Sequence, residues 1–408
     1  MATRSKKRIL FVDHTATLGG GEVALLNLTR ALSQGHYEPV VLLFSEGPLV
    51  RRLAEAGIEC HVMPMPGGVI HARKDELGGG TLLRIRDVAS TLSFARDVTR
   101  FMRRSNVALV HTNSLKSDLI GGLAARLARL PLVWHVRDRI ADDYLPAKVA
   151  KAFRMLCRVM PTRVIAISDA VRQTLGNDPR VRVVHDGTPM PAEATPGRSD
   201  GRTLVGLVGR ISPWKGQDVF LRAASIVRRQ FPAARFQIIG SALFGKREQE
   251  FEQSLHDLVA AEGIAGAVEF TGFRKDVADL IARLDVLVHA SKTGEPFGQV
   301  IIEGMAAAKP VIGTRGGAVP EIIVEGETGL LVPMGDAAQM AEAICALLAD
   351  PERARRMGLA GRTRVAEHFS IQNTARGVQA VYDDLLAPRN QPASLSPSPT
   401  LRRPDQLP

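Results

Sequence analysis

Short unbroken apolar runs recur along this chain, and between them apolar residues return at the three-to-four-residue spacing of helices. "RILFVD" (8–13), "PVVLLF" (39–44), "VALVH" (107–111), "PLVWHV" (131–136) and "RVIAI" (163–167) have strand length, while 22–33, 82–104 and 115–129 read as amphipathic helices. Strands that are apolar on both faces suit a parallel sheet covered by helices. The rhythm breaks at "TPMPAEATPGRSDG" (188–201), which reads as a linker from its Pro, Gly, Ser and charged residues. It resumes at "TLVGLVG" (203–209) and continues through "RFQIIG" (235–240), "VEFTG" (268–272), "DVLVHAS" (285–291), "PVIGT" (310–314) and "GLLVP" (329–333). The pattern predicts two doubly wound, Rossmann-like α/β domains, 1–187 and 202–366, with a further helix over 367–387. The Pro- and Ser-rich tail 388–408 is expected to be disordered. A length of 408 residues lets each domain bury its own core.

In doubly wound sheets, ligands bind beyond the carboxyl ends of the strands, and with two such domains the cleft between them is the expected site. Three strand-end loops carry suitable chemistry. "TLGGGEVALLNL" (17–28) follows the first strand and opens a helix, where Gly19 and Gly20 admit backbone N–H groups close to an anion. It matches neither the dinucleotide fingerprint nor the P-loop. "GRISPWKG" (209–216) places Arg210 at a strand's end and Lys215 near the start of the next helix, a fork and a point charge for one anionic ligand. "EPFGQVIIE" (295–303) sets Glu295 in a loop, Pro296 and Gly298 at a turn, and Glu303 in the following helix. A wholly helical path would separate the two Cα atoms by about 12 Å. A turn would bring them nearer, so spacing alone fits either an acid/base pair or a ligand clamp. The neighbouring cations, with the amides of Phe297, Gly298, Gln299 and Val300, favour a diphosphate site whose carboxylates accept from sugar hydroxyls.

Composition narrows the class further. Fractions of 45% hydrophobic and 23% charged residues are ordinary for a soluble globular chain. No apolar run reaches the roughly 18 to 20 residues of a bilayer span. The apolar stretch behind the basic N-terminus is too short for a secretory signal, so a cytoplasmic location is expected. Cys60, Cys157 and Cys345 are scattered, show neither metal nor disulfide spacing, and are expected to be buried free thiols. The net charge of +11 resides in one half: residues 1–190 hold 28 Lys+Arg against 17 Asp+Glu, and residues 191–408 hold 25 against 25. That asymmetry points to an anionic partner of the N-terminal domain, such as a membrane surface or a lipid diphosphate. Nucleic acid is not expected, because no binding motif or aromatic–basic interleaving accompanies the charge.

Taken in order, several segments resemble the motifs of family 4 glycosyltransferases, retaining nucleotide-sugar enzymes of the two-domain GT-B fold. They are "LGGGE" (18–22), "WHVRD" (134–138), "VIAISDAVRQTL" (164–175), "VVHDGTPM" (183–190), "GRISPWKG" (209–216) and "EFTGFRKDV" (269–277). "EPFGQVIIEGMAAAKPVIGT" (295–314), "GGAVPEII" (316–323) and "GETGLLVP" (326–333) complete the set, so the resemblance spans about residues 8–387. It implies that Arg210 and Lys215 hold the donor diphosphate and stabilise the leaving nucleoside diphosphate. It implies Glu303 on the donor ribose, Glu295 on a hydroxyl of the transferred sugar, and His135 near that sugar, with the last two as the catalytic residues. The backbone of Phe297, Gly298, Gln299 and Val300 would face sugar and phosphates, and Gly19 and Gly20 would close onto the diphosphate. Gly272 to Arg274 would edge the base pocket, and the last helix would cross back to the N-terminal domain.

The same resemblance implies no metal and no other cofactor. Asp142-Asp143 and Asp383-Asp384 lack the strand-end setting of a metal–diphosphate site and read as solvated pairs. Two places depart from the family pattern. Asp186-Gly187 stands where relatives carry Asn-Gly, losing a donor, and the usual Gly-rich nucleotide loop holds Ser241, Leu243 and Phe244. The activity implied is transfer, with retention, of a hexose-type sugar from a nucleoside-diphosphate donor, a UDP-sugar, to a glycan or lipid-linked acceptor in cell-envelope or polysaccharide biosynthesis. The acceptor would bind the basic N-terminal domain, at the inner face of the cell membrane. Other readings are a sugar-nucleotide epimerase of the same fold and a non-catalytic nucleotide-sugar-binding subunit. Lys215 and Glu303 are expected to be exposed, so that replacing either with Ala leaves the fold intact.

Overall fold

The computed structural model describes residues 6–65, 85–142, 145–193, 203–243 and 245–387; the tail from 388 and Asp143 lie outside them. The chain divides into two compact units, one of residues 1–187 with the segment from Ile371, the other spanning Thr188–Ser370.

The first unit is built on a seven-stranded sheet. Its strands are β1 (Lys7–Asp13), β2 (Tyr37–Leu43), β3 (Glu59–Val62), β4 (Leu109–Thr112), β5 (Leu132–Val136), β6 (Arg163–Ala166) and β7 (Val181–Val183), in the order β3-β2-β1-β4-β5-β6-β7. All of these pairings are parallel, and helices such as Gly20–Ser33 and Leu115–Ala128 connect successive strands. β4 and β5 are buried along their whole length, as their unbroken apolar runs require. β3 and β7 have no counterpart among the predicted strands, because β3 is only half-buried and β7 is a three-residue edge. The chain order reverses between β1 and β4, which makes their carboxyl ends the switch point of this sheet.

The last helix, Ile371–Leu386, belongs to this unit and begins four residues later than expected. Ile371, Ala375, Val378, Val381 and Tyr382 form one buried stripe that packs with Ile9, Phe11, Leu25 and Leu28. Thr374 Oγ1 donates to the carbonyl of His185 at 2.9 Å. The Asp383-Asp384 pair is not simply solvated: Asp384 accepts from Arg163 at 2.8 Å and Asp383 accepts from the Tyr37 hydroxyl, so both anchor the helix. Asp142 is exposed and lies 3.9 Å from Arg154.

The second unit holds a six-stranded parallel sheet. β8 (Leu204–Val208), β9 (Arg235–Ile239), β10 (Val268–Phe270), β11 (Val286–Val288), β12 (Val311–Thr314) and β13 (Leu330–Val332) lie in the order β10-β9-β8-β11-β12-β13. The order reverses between β8 and β11. One face buries Val205, Leu207, Phe236 and Ile238 against Phe220, Ala223, Ala224 and Val227 of helix Gln217–Gln230. The start of the expected linker is pinned here: the Thr188 amide donates to the Phe369 carbonyl at 3.0 Å, and Arg362 donates to the Pro191 carbonyl at 2.6 Å. Of the three thiols only Cys157, in the first unit, is buried; Cys60 and Cys345 are partly exposed, and all three are free. Among the described residues, no helix is long and apolar enough to cross a membrane.

Gly216 joins the turn Pro213–Lys215 to helix Gln217–Gln230 at φ +72°, and a Cβ there would lie 1.9 Å from the Ala290 carbonyl oxygen. Gly263 has a similar φ of +67° but open space around it. Gly216→Ala is expected to cost at least 3 kcal/mol, on the order of a core disruption, and Gly263→Ala about 1 kcal/mol from left-handed strain alone. Urea denaturation of the two variants compares them. Equal losses would show that backbone approach to Ala290 is not the constraint.

Candidate active site at the strand ends

In the second unit the carboxyl ends of β8, β11 and β12 bring the expected cations and carboxylates together. Arg210 follows β8, and its Nε lies 3.4 Å from Glu248 Oε1 in the first turn of helix Lys246–Ala261. Lys215 Nζ contacts Glu295 Oε1 and sits 4.2 Å from the centre of the Trp214 ring. Glu295 Oε1 also lies 3.3 Å from His289 Nε2 and accepts from Ser291 Oγ at 3.3 Å. His289 is held in turn by the Thr314 hydroxyl at 3.3 Å. Glu295 is 4% exposed. Burial works to raise its pKa, but Lys215 and His289 prevail and hold it at about 2. An acid held that low stays a carboxylate at neutral pH and accepts hydrogen bonds, so it cannot serve as a proton donor there.

Glu303 is the opposite case on the same element. It lies in helix Gln299–Ala306, partly buried, and burial lifts its pKa to about 7 against a single opposing hydrogen bond from the Gln299 side chain. Gly298 stands at the N-cap position of this helix with φ +121° and no side-chain cap, so the first-turn amides, including Gln299 and Val300, carry the positive end of the helix dipole. The side chain of Phe297 is a core group, 6.0 Å from the Phe369 ring, and only its backbone belongs to the site. The turn is locked by Gly317, at φ +60°, whose Cβ would lie 2.0 Å from the Glu295 carbonyl oxygen. The Ala318 amide donates to that same oxygen at 2.9 Å.

Lys215 and Glu303 are therefore not freely exposed: both are partly buried. The loop after β9 is capped by acidic side chains, with the Leu243 amide donating to Glu248 at 3.2 Å and Ala242 to Glu252 at 3.3 Å. Phe244 lies outside the described residues. Gly272, at φ +66°, bridges to Gly240, and Phe273 beside it is 51% exposed.

The first unit has its own polar cluster at the β1/β4 switch point. Gly19 caps helix Gly20–Ser33, and its amide donates to Glu22 at 2.9 Å. Burial, and then the charge of Asp13, push Glu22 up to about 8. Asp13, the last residue of β1, accepts from Asn113 Nδ2 at 2.6 Å and from Ser114 Oγ at 2.8 Å. Arg137, just past β5, donates to Asn113 Oδ1 at 2.7 Å and makes a two-oxygen pair with Asp186, both side chains 8% exposed. Asp186 is thus matched to a buried guanidinium: the donor lost relative to asparagine is replaced by charge. His135 sits within β5, wholly buried, with Nδ1 3.0 Å from His111 Nε2. Sequence reasoning overlooked Asp13, His111, Asn113 and Arg137 here, and Glu248, His289 and Ser291 in the second unit. For all but Glu248, which lies in a helix's first turn, the shared signal is a polar residue at or just past the end of an apolar run, which becomes informative once the sheet is known to be parallel. Among the described residues, no group of three or more His, Cys, Asp or Glu is placed to hold a metal.

Two doubly wound parallel sheets, each with charged and glycine-rich strand-end loops, define a two-domain α/β glycosyltransferase of the GT-B type. Residues 19–187 match the family described as "Glycosyl transferase 4-like domain", and residues 192–364 match "Glycosyl transferases group 1". The chain belongs to this family. It is 30% identical over 310 residues to a D-inositol 3-phosphate glycosyltransferase of Streptomyces scabiei, covering 69% of this chain and 68% of the relative. It is 27% identical to an alpha-maltose-1-phosphate synthase of Mycolicibacterium smegmatis, covering 83% and 93%. The fold is that of Anabaena Alr3699/HepE, solved in complex with UDP and glucose: TM-score 0.80, 24% identity, 93% of this chain and 100% of the other covered.

Because Glu295 is buried against Lys215, removing the lysine leaves an uncompensated charge. Lys215→Met is expected to cost about 3 kcal/mol at pH 7, more than an exposed lysine would. The double variant Lys215→Met/Glu295→Gln should lose much less than the sum of the two single changes. Urea denaturation of all four proteins closes the cycle, and additive losses would show that the two residues do not act as a pair.

Proposed function

We propose that this glycosyltransferase moves a hexose from a UDP-sugar to a glycan or lipid-linked acceptor in cell-envelope or polysaccharide biosynthesis, with retention and without a metal. The observation that carries this reading is the Lys215–Glu295–His289 arrangement beside the uncapped N-terminus of helix Gln299–Ala306. It sets a lysine and a line of amides next to a carboxylate that stays ionised. A diphosphate meets Lys215, Arg210 and the helix end, while a sugar hydroxyl donates to Glu295. Glu303, lower on the same helix, accepts from ribose hydroxyls when ionised. The likeness to the UDP-bound neighbour supports UDP as the nucleotide.

In the reaction, the bond from the sugar's anomeric carbon to the diphosphate oxygen breaks and a bond to the acceptor oxygen forms on the same face. The acceptor hydroxyl's proton passes to the departing phosphate oxygen. Lys215 and Arg210 balance the charge that develops on the leaving group, which is the work a divalent cation would otherwise do. The positive excess over residues 1–190 supports an anionic acceptor or an anionic membrane surface at the first unit.

Two outcomes test the reading. Release of UDP from UDP-glucose should fall at least about 100-fold in Lys215→Met, measured under conditions where the variant is folded. UDP-glucose should also bind more weakly as the pH falls from 8 to 6. The Glu303 carboxyl, with its pKa of about 7, takes up a proton across that range and stops accepting from ribose. Calorimetric titration should show this slope in the native chain and its loss in Glu303→Gln. Tight, pH-independent binding in both proteins would remove Glu303 from the ribose site.

A further inference from the structure

The charge and the exposed apolar side chains of the first unit lie on the same side of its sheet. One sheet face holds Ile9, Phe11, Leu109 and Val133 and is covered by helices Gly20–Ser33, Pro48–Glu55 and Ile371–Leu386. The other face holds Val12, Thr112 and Trp134. Helix Leu115–Ala128 packs there so closely that a Cβ on Gly121 would lie 3.2 Å from both Val12 and Thr112. Helix Ala147–Cys157 follows beside it, with the Phe153 ring centre 5.2 Å from that of Trp134. Helix Ile85–Arg104 completes the layer, its Arg103 donating to the Leu127 carbonyl at 2.7 Å.

These three helices carry 10 Lys+Arg against 3 Asp+Glu, whereas the three on the opposite face carry 4 against 4. One of the three acids, Asp118, is fully buried. Lys148 and Lys151 are exposed and make no ion pair among the described residues. The apolar side chains follow the same asymmetry. Among the described residues of the first unit the exposed large apolar groups are Leu92, Leu119, Leu127, Met155 and Val159, and all belong to this layer or to the turn that leaves it. Met155, 64% exposed, and Val159, 60% exposed, stand furthest into solvent. Lys148, Lys151, Met155 and Val159 recur at three- or four-residue steps as one outward stripe, while Ala150, Phe153 and Cys157 form the buried stripe behind it.

We propose that this helical layer is a docking face for an anionic lipid bilayer, with Met155 and Val159 entering the headgroup region between Lys148, Lys151 and Arg158. Long cationic side chains reach lipid phosphates while their stems and the aliphatic groups beside them leave water. A protein interface gathers aromatic side chains at a dry centre. Here the exposed apolar groups are aliphatic, and each has a cation within four residues along the chain, which suits a fluid charged surface better. The inference rests on the anionic surface or lipid-linked acceptor proposed above for the first unit, and it names the face that meets it.

Flotation of the full chain tests this with vesicles of phosphatidylcholine alone and of phosphatidylcholine with about one third phosphatidylglycerol. Binding to the anionic vesicles should be at least about tenfold stronger. Lys148→Glu/Lys151→Glu should lower it about tenfold or more. Arg30→Glu/Arg51→Glu makes the same charge change on the opposite face. It should alter binding less than about twofold, because the membrane's field fades within a Debye length. Met155→Ser/Val159→Ser, which changes no charge, should weaken binding about tenfold. Equal binding to both vesicles, or equal losses from the two charge pairs, would overturn the docking face. Undiminished binding of Met155→Ser/Val159→Ser would overturn the bilayer as occupant and leave a soluble acidic protein in its place. UDP release from UDP-glucose without vesicles should be unchanged in all three variants. Its absence from the native chain would count against the proposed glycosyl transfer, while flotation would still decide the docking face.

Discussion

Parallel pairing is the constraint on which the rest of this molecule depends. Among the described residues every strand pair in both sheets runs parallel, so each strand must be followed by a crossover, usually a helix, that returns the chain to the starting edge. All strand-to-helix turns then emerge on one edge of each sheet. Where the winding direction reverses, at β1/β4 and at β8/β11, neighbouring turns diverge and leave room for polar groups. Asp13 meets Asn113 across 100 residues of sequence, and Lys215 meets Glu295 across 80, for this one reason.

Burial at those strand ends then decides chemistry by partner. Glu295 and Glu303 stand on one loop and helix, the first buried and the second partly so. Desolvation alone would raise both pKa values. Glu295 has a lysine and a histidine within reach and goes down to about 2; Glu303 has, among the described residues, the Gln299 amide against its burial and goes up to about 7. Arg137 and Asp186 follow the same rule in the first unit, each making the other's burial tolerable. Such pairs are costly to break singly, which ties the site's composition to the stability of its unit.

Much of the architecture was legible because the strands of a covered parallel sheet are continuous apolar runs. All eleven runs singled out coincide with observed strands, and the elements overlooked were β3 and β7. Both are edge strands with little burial, so selection for apolar residues is weak there. The solvation expected of the acidic pair Asp383-Asp384 and the exposure expected of Lys215 were misread for a common reason. A charged residue looks solvated until its partner, at Arg163, Tyr37 or Glu295, is brought beside it. His135 was legible as a strand-end histidine. Its burial and its hydrogen bond to His111 were not, because His111 reads as one more member of an apolar run.

The sequence by itself determined the periodicities, hence the two doubly wound units, the glycines that the tight turns require, and the ordered motifs that mark the family. Local pattern suffices for these because strand, helix and turn depend on neighbours a few residues away. Only the tertiary structure decided which charges are paired, which carboxylate is ionised, and which buried polar groups, such as Tyr382, His111 and His135, meet. Those properties depend on groups separated by up to several hundred residues, whose interaction falls off within a few ångströms and is set by burial.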